Sequence, residues 1–150
     1  MRTHHSQVTP QELTAGSDAP APISTRAWLT ERIPLRVAIG LFVAWLVLPE
    51  IAYLLEPPAR GSEPFIGILL EISMNVLFFA TLVGLVVRRR WGLAVSLAGA
   101  VLATAASIAC PATSHHAFGA WWYGQMACML ALVVMSVAAL SGASRAEPTP

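Results

Sequence analysis

Cys110-Pro-Ala-Thr-Ser-His-His-Ala-Phe-Gly-Ala-Trp-Trp-Tyr-Gly-Gln-Met-Ala-Cys-Met129 joins two long apolar runs, and those runs decide the fold. Trp91 to Ala109 lies before it, and Phe118 to Leu140 begins inside it; neither run contains a charged residue. Each has about the 20 residues that cross roughly 30 Å of hydrocarbon at 1.5 Å per residue. Working outward towards the N-terminus, two more runs of similar length appear. Leu35 to Leu55 is interrupted only by Pro49 and Glu50 after its first arginine, and Phe65 to Val87 contains Glu71 and Asn75. The connections are short, so successive spans are expected to be antiparallel neighbours. The fold class expected is an all-α integral membrane protein, a four-transmembrane-helix antiparallel bundle with a disordered N-terminal tail.

Composition agrees. Apolar residues make up 56% of the 150 and charged residues 11%, against about 25% charged in soluble domains. All nine basic residues are arginine, a bias that fits a GC-rich bacterial coding sequence. Net charge is +1, with no basic cluster interleaved with aromatics, so nucleic acid is not an expected partner. No CxxC, HExxH, GxGxxG or GxSxG occurs, and none of the usual soluble-enzyme motifs is therefore present.

Residues 1 to 23 are polar and rich in Pro, Ser, Thr and Ala, a composition that predicts disorder. Residues 24 to 33 read as an interfacial helix capped by Ser24, with Trp28 at the headgroups. The transmembrane domain occupies residues 34 to 141, and 142 to 150 read as a second disordered tail. A cleaved signal peptide is a poor reading of the first span, because more than 30 residues precede it and no A-x-A site follows. Arg26, Arg32, Arg36, Arg88, Arg89, Arg90 and Arg145 fall on one side of a four-span path, and only Arg60 falls on the other. The positive-inside rule then places both termini in the cytoplasm of a multi-pass inner-membrane protein.

That orientation collects the unusual residues in the outer half. Glu50 and Glu71 lie roughly 8 and 9 Å inside the outer ends of their spans, where an ionisable group is costly and is a functional candidate by default. Asn75 is one turn from Glu71. Two carboxylates meeting in such a place would share a proton or hold a cation. Ser114 is expected to cap span four and Pro111 to end span three, which puts His115 and His116 in a first helical turn on diverging faces. Tyr123 and Gln125 follow one to two turns below. Glu71, Glu50, Asn75, His115, His116, Tyr123 and Gln125 are thus the candidate ligand-binding set. His115, His116 and Glu71 are candidate ligands for a transition-metal ion. Cys110, Cys128 and Met126 form a weaker, soft-metal set. Cys110 and Cys128 differ in depth by roughly 15 Å, too far for a disulfide. Trp121, Trp122 and Tyr123 read as an interfacial aromatic belt. Gly92, Ser96, Ala100 and Thr104 on span three, and Ala120, Gly124 and Cys128 on span four, form small-residue stripes that invite close packing between those spans or on a partner.

Three functional readings follow. The first is a small membrane protein that binds or helps to transport a cation, a proton or a small polar ligand at an outward-facing site, acting as a homo-oligomer. The second is an accessory or structural subunit bound to a partner membrane subunit. The third is a redox protein carrying metal or haem, weakened by the lack of a second His on another span.

Overall fold

A computed structural model of the protein describes residues 25–58, 65–112 and 116–145. Five helices follow one another: α1 (Thr25–Thr30), α2 (Leu35–Leu55), α3 (Phe65–Val86), α4 (Arg90–Ala112) and α5 (Ala120–Arg145). The described residues contain no strand, and α2 to α5 are each long and apolar enough to cross a membrane. Large apolar side chains such as Ile39, Val43, Phe79, Val83 and Val134 stand exposed on the outside of the bundle. In water so large a patch would drive association; against lipid tails it is ordinary protein surface.

Helix α2 packs on α5, α5 on α4, and α4 on α3. The ring closes poorly between α2 and α3, which touch least although they are consecutive in the chain. Three close approaches set this arrangement. A Cβ on Gly84 of α3 would fall 2.4 Å from the Gly92 Cα of α4, so the two backbones cross in direct contact. A Cβ on Gly124 of α5 would fall 2.6 Å from Leu55 of α2. Trp45 of α2 is buried between helices, edge-on to Phe78 at 6.1 Å and against Gly99 of α4. Its Nε1 donates to Ser96 Oγ at 2.7 Å, and the Ser96 and Ser136 hydroxyls are 2.8 Å apart. This chain of polar groups ties α2, α4 and α5 together at mid-bundle. Spans three and four do pack closely on one another, as the small-residue stripes led one to expect, but single members of the stripes also serve other neighbours. Gly92 meets α3 and Gly124 meets α2, while Ser96 is the member that reaches α5.

A second knot closes the end that carries the arginines. The expected helix over 24–33 stops at Thr30, because residues 31–33 leave it to pair with the α3–α4 turn. Ile33 N–H donates to Arg88 O at 2.9 Å and Arg90 N–H to Glu31 O at 3.0 Å. Pro34 also biases Ile33 towards extended backbone; it stands as the residue before α2 and not in its first turn. Arg88 Nε and Nη2 donate to Ile33 O at 3.2 and 3.0 Å, and Arg89 donates to Thr30 O. Arg90, only 2% exposed, pairs with Glu31 at 2.9 Å, donates to Ala143 O and lies 5.8 Å from the Trp28 ring.

Other boundaries shift slightly. Span three starts at Arg90 and continues through Pro111 to Ala112, and span four starts at Ala120 and extends to Arg145. Residues 142–145, read as tail, are thus helical. The expected disorder of residues 1–23, with His4 and His5, lies outside the described residues, as do Arg60 and Ser114.

Candidate ligand-binding site

Two polar regions occupy the half of the bundle away from the arginines. The first is a cleft of about 240 Å³ in the gap between α2 and α3, floored by α4 and α5. Its polar groups are Glu50 and Asn75; Trp45, Phe78 and Met74 form the apolar walls, with Met129 at the floor. Pro49 stands beside Glu50 in the wall, inside α2. Proline has no N–H to give to the helix ladder, so the carbonyl one turn earlier, that of Trp45, loses its usual donor. Local irregularity of this kind suits a place where two helices separate.

The second region closes the far end of the bundle. His116 Nε2 is 2.8 Å from Glu56 Oε1, with His116 6% exposed. The His116 and Trp121 rings meet edge-on at 5.6 Å. Trp122 Nε1 donates to Ser107 O at 2.9 Å, joining α5 to α4, and Trp121 Nε1 donates to Ala117 O at 2.8 Å. Gln125, one turn below Trp121, is buried at 9% exposure, and among the described residues its Oε1 has no hydrogen-bond partner. An unmatched buried carbonyl oxygen costs about 1–3 kcal/mol, so Gln125 is an acceptor without a donor. Met129, at the floor of the cleft, lies one turn further along the same buried face of α5, about 6 Å below Gln125. The two polar regions are thus stacked along one helix.

The residues singled out from the sequence are distributed as follows. Glu50 and Asn75 line one cleft. Glu71 does not line it; its side chain is exposed, as those of Glu50 and Asn75 also are, and its backbone oxygen accepts from Asn75 Nδ2 at 2.9 Å. His116 is not in a first helical turn, since α5 begins at Ala120. It sits in the preceding connection, drawn against Glu56, with Gly119 before the helix. His115 lies outside the described residues. Tyr123 is 63% exposed and packs its ring edge-on to Trp122 at 5.3 Å. Cys110, Met126 and Cys128 are half-buried, neither cysteine is in a disulfide, and Cys128 packs on the apolar core. Among the described residues no three His, Cys, Asp or Glu side chains come together as a metal-binding group.

Glu56 is the residue that sequence reasoning missed. It follows the first span directly and looked like part of a polar loop. Nothing in spacing couples it to a histidine 60 positions later; only the packing of α2 on α5 does.

These features define a four-span α-helical membrane protein with a polar cleft between its first two spans and, at one end, a buried histidine paired with a half-buried glutamate. Comparison with known proteins adds no relative: no family model matches the chain, and no curated protein and no solved structure matches it.

Proposed function

We propose that this small polytopic membrane protein binds a cation or a small polar, cationic ligand in the half of the bundle that faces outward from the cytoplasm. Both termini are cytoplasmic in this reading, by the arginine distribution. The observation that carries it is the cleft between α2 and α3, where Glu50 and Asn75 share a wall with Trp45 and Phe78. A carboxylate supplies charge, an amide supplies direction, and aromatic faces attract cations. The depth is one at which an unused carboxylate is expensive. His116 with Glu56, and Gln125 above the floor, form the polar layer between the cleft and the aqueous phase. Passage through the membrane, as opposed to binding, belongs in this reading to an oligomer.

The test is a ligand-stabilisation experiment on detergent-purified protein, using magnesium, manganese and methylammonium chlorides as probes. A ligand at ten times its Kd stabilises by about 1.4 kcal/mol. At least one probe should raise Tm in the wild type and fail to do so in Glu50→Gln. No probe-dependent shift, or a shift that Glu50→Gln retains, rules the reading out.

A second reading, the accessory subunit, is favoured by α3. It buries only Thr81, Gly84 and Leu85 and leaves Glu71 exposed within a span. A partner helix covering that face would shield Glu71 from lipid. In this reading the protein migrates in mild detergent as a larger complex, which Glu71→Leu dissociates.

A further inference from the structure

The arginine end carries a pocket that the proposed ligand site does not use. We infer that it holds the phosphate of an anionic phospholipid, with an acyl chain lying in the neighbouring groove between α2 and α3. The pocket has a volume of about 290 Å³, and its charged lining is Arg32, Arg88, Arg90 and Glu31. Three guanidinium groups against one carboxylate leave it two formal positive charges in excess. The single carboxylate is already engaged by Arg90. Arg90 lines the pocket although it is almost wholly buried, and among the described residues its Nε has no hydrogen-bond partner. A guanidinium fork matches the geometry of a phosphate, and arginine clusters are a common means of holding one. Arg88 holds a left-handed backbone, φ 56°, unusual for a residue with a Cβ. Such a conformation persists where surrounding contacts fix it, and it marks positions that serve a purpose.

The adjoining groove makes the ligand a lipid and not a free anion. A second cavity, about 210 Å³, is lined by Leu35, Ile39, Phe42, Leu85, Val86 and Arg88. Arg88 lines both cavities, so a basic pocket and an apolar groove meet at one arginine. Inorganic phosphate would fill only the first. A phospholipid fills both, with its phosphate among the arginines and its chain along the helices. Basic pockets between helices at a membrane surface recognise anionic headgroups in this way, and a zwitterionic headgroup would bring a cation towards the arginines. The inference is independent of any ligand at Glu50.

The test uses the full chain, delipidated in detergent and titrated with dioleoylphosphatidylglycerol, dioleoylphosphatidylcholine or sodium phosphate, with retention read by native mass spectrometry. Phosphatidylglycerol should be retained preferentially, and phosphate alone should bind far more weakly. Arg32 is exposed and holds no backbone group in place, so Arg32→Gln leaves the fold intact; it should weaken phosphatidylglycerol binding about fivefold, the worth of one arginine at an anionic surface. Arg36 is exposed at the same end but does not line the pocket, and Arg36→Gln should change binding little. Equal retention of phosphatidylcholine, phosphate binding as tight as lipid, or equal damage from Arg32→Gln and Arg36→Gln would each overturn the inference.

Discussion

At the scale of single residues, the bundle depends on a few polar groups whose partners are far away in sequence. Ser96 accepts from Trp45 and shares a hydrogen bond with Ser136. Removing its hydroxyl strands an indole N–H and a second hydroxyl, whereas removing Ser136 strands only one group. Ser96→Ala should therefore lower stability by about 1–2 kcal/mol and Ser136→Ala by less, near the 0.6 kcal/mol average for hydrogen bonds between membrane helices. Thermal unfolding of the two variants in one detergent ranks them, and the reverse order would refute the assignment. The His116–Glu56 pair can be tested by a double-mutant cycle with alanine at each position; a coupling of about 1 kcal/mol is expected, and additivity would mean that the contact contributes nothing. None of these pairings was legible beforehand. Serines in an apolar span look like ordinary small residues, and a tryptophan in a span looks like an interfacial anchor. Glu50, Glu71 and Asn75 did stand out, because polar groups are rare in such runs, but which way each faces did not. In a soluble helix the apolar stripe marks the buried side; in α3 the lipid-facing and protein-facing sides are equally apolar, so Glu71 outside the cleft and Asn75 on its wall, both exposed, read alike.

At the scale of elements, the number, length and order of the long helices were legible, since about 20 apolar residues have only one use. Their neighbours were less so. The stripe on span three predicted close packing, but nothing in it said that Gly92 would meet Gly84 of α3. The docking of residues 31–33 on the Arg88–Arg90 turn was also hidden, because arginines beside a span already have a sufficient explanation in topology. The Gly84–Gly92 crossing gives a sharp prediction. An alanine at either position forces the α3 and α4 backbones apart, since the added methyl would meet backbone atoms 2.4–2.5 Å away. Each substitution should destabilise by about 1–3 kcal/mol, as overpacking does. Gly40→Ala and Gly142→Ala are the controls: among the described residues nothing lies within 4 Å of either Cβ position, and alanine in a helix interior is favoured by about 0.5–1 kcal/mol. Tm should fall for the first pair and hold or rise for the second. A uniform response across all four would mean that the α3–α4 crossing is looser than described.

At the scale of the whole molecule, the distribution of charge and the pairing of helices say the same thing by different routes. Arg88, Arg89 and Arg90 are bound into one knot with Thr30, Glu31, Ile33 and Ala143 near the end of α5, which requires the start of α2 and the α3–α4 turn to lie on one side. His116 and Glu56 meet at the other end, which requires the α2–α3 and α4–α5 connections to lie together on the opposite side. Four spans satisfy both requirements, and an odd number would satisfy neither. The direction of insertion is a separate matter, set by where positive charge is retained during translocation. Eight of the nine arginines fall on the side of the chain ends and the α3–α4 turn, so that side should be cytoplasmic. Reporter fusions after Arg90 and after Ser114 measure this directly. The first should report the cytoplasm and the second the opposite compartment. Identical reports from both would break the four-span path, while opposite reports in the reverse sense would keep the fold and invert the membrane, placing the Glu50 cleft and the His116–Glu56 pair in the cytoplasmic half. Replacing Arg88 and Arg89 together by glutamine weakens the topological signal without removing Arg90 from its buried pair; a fraction of molecules should then insert inverted, visible as mixed reporter activity at both fusion points.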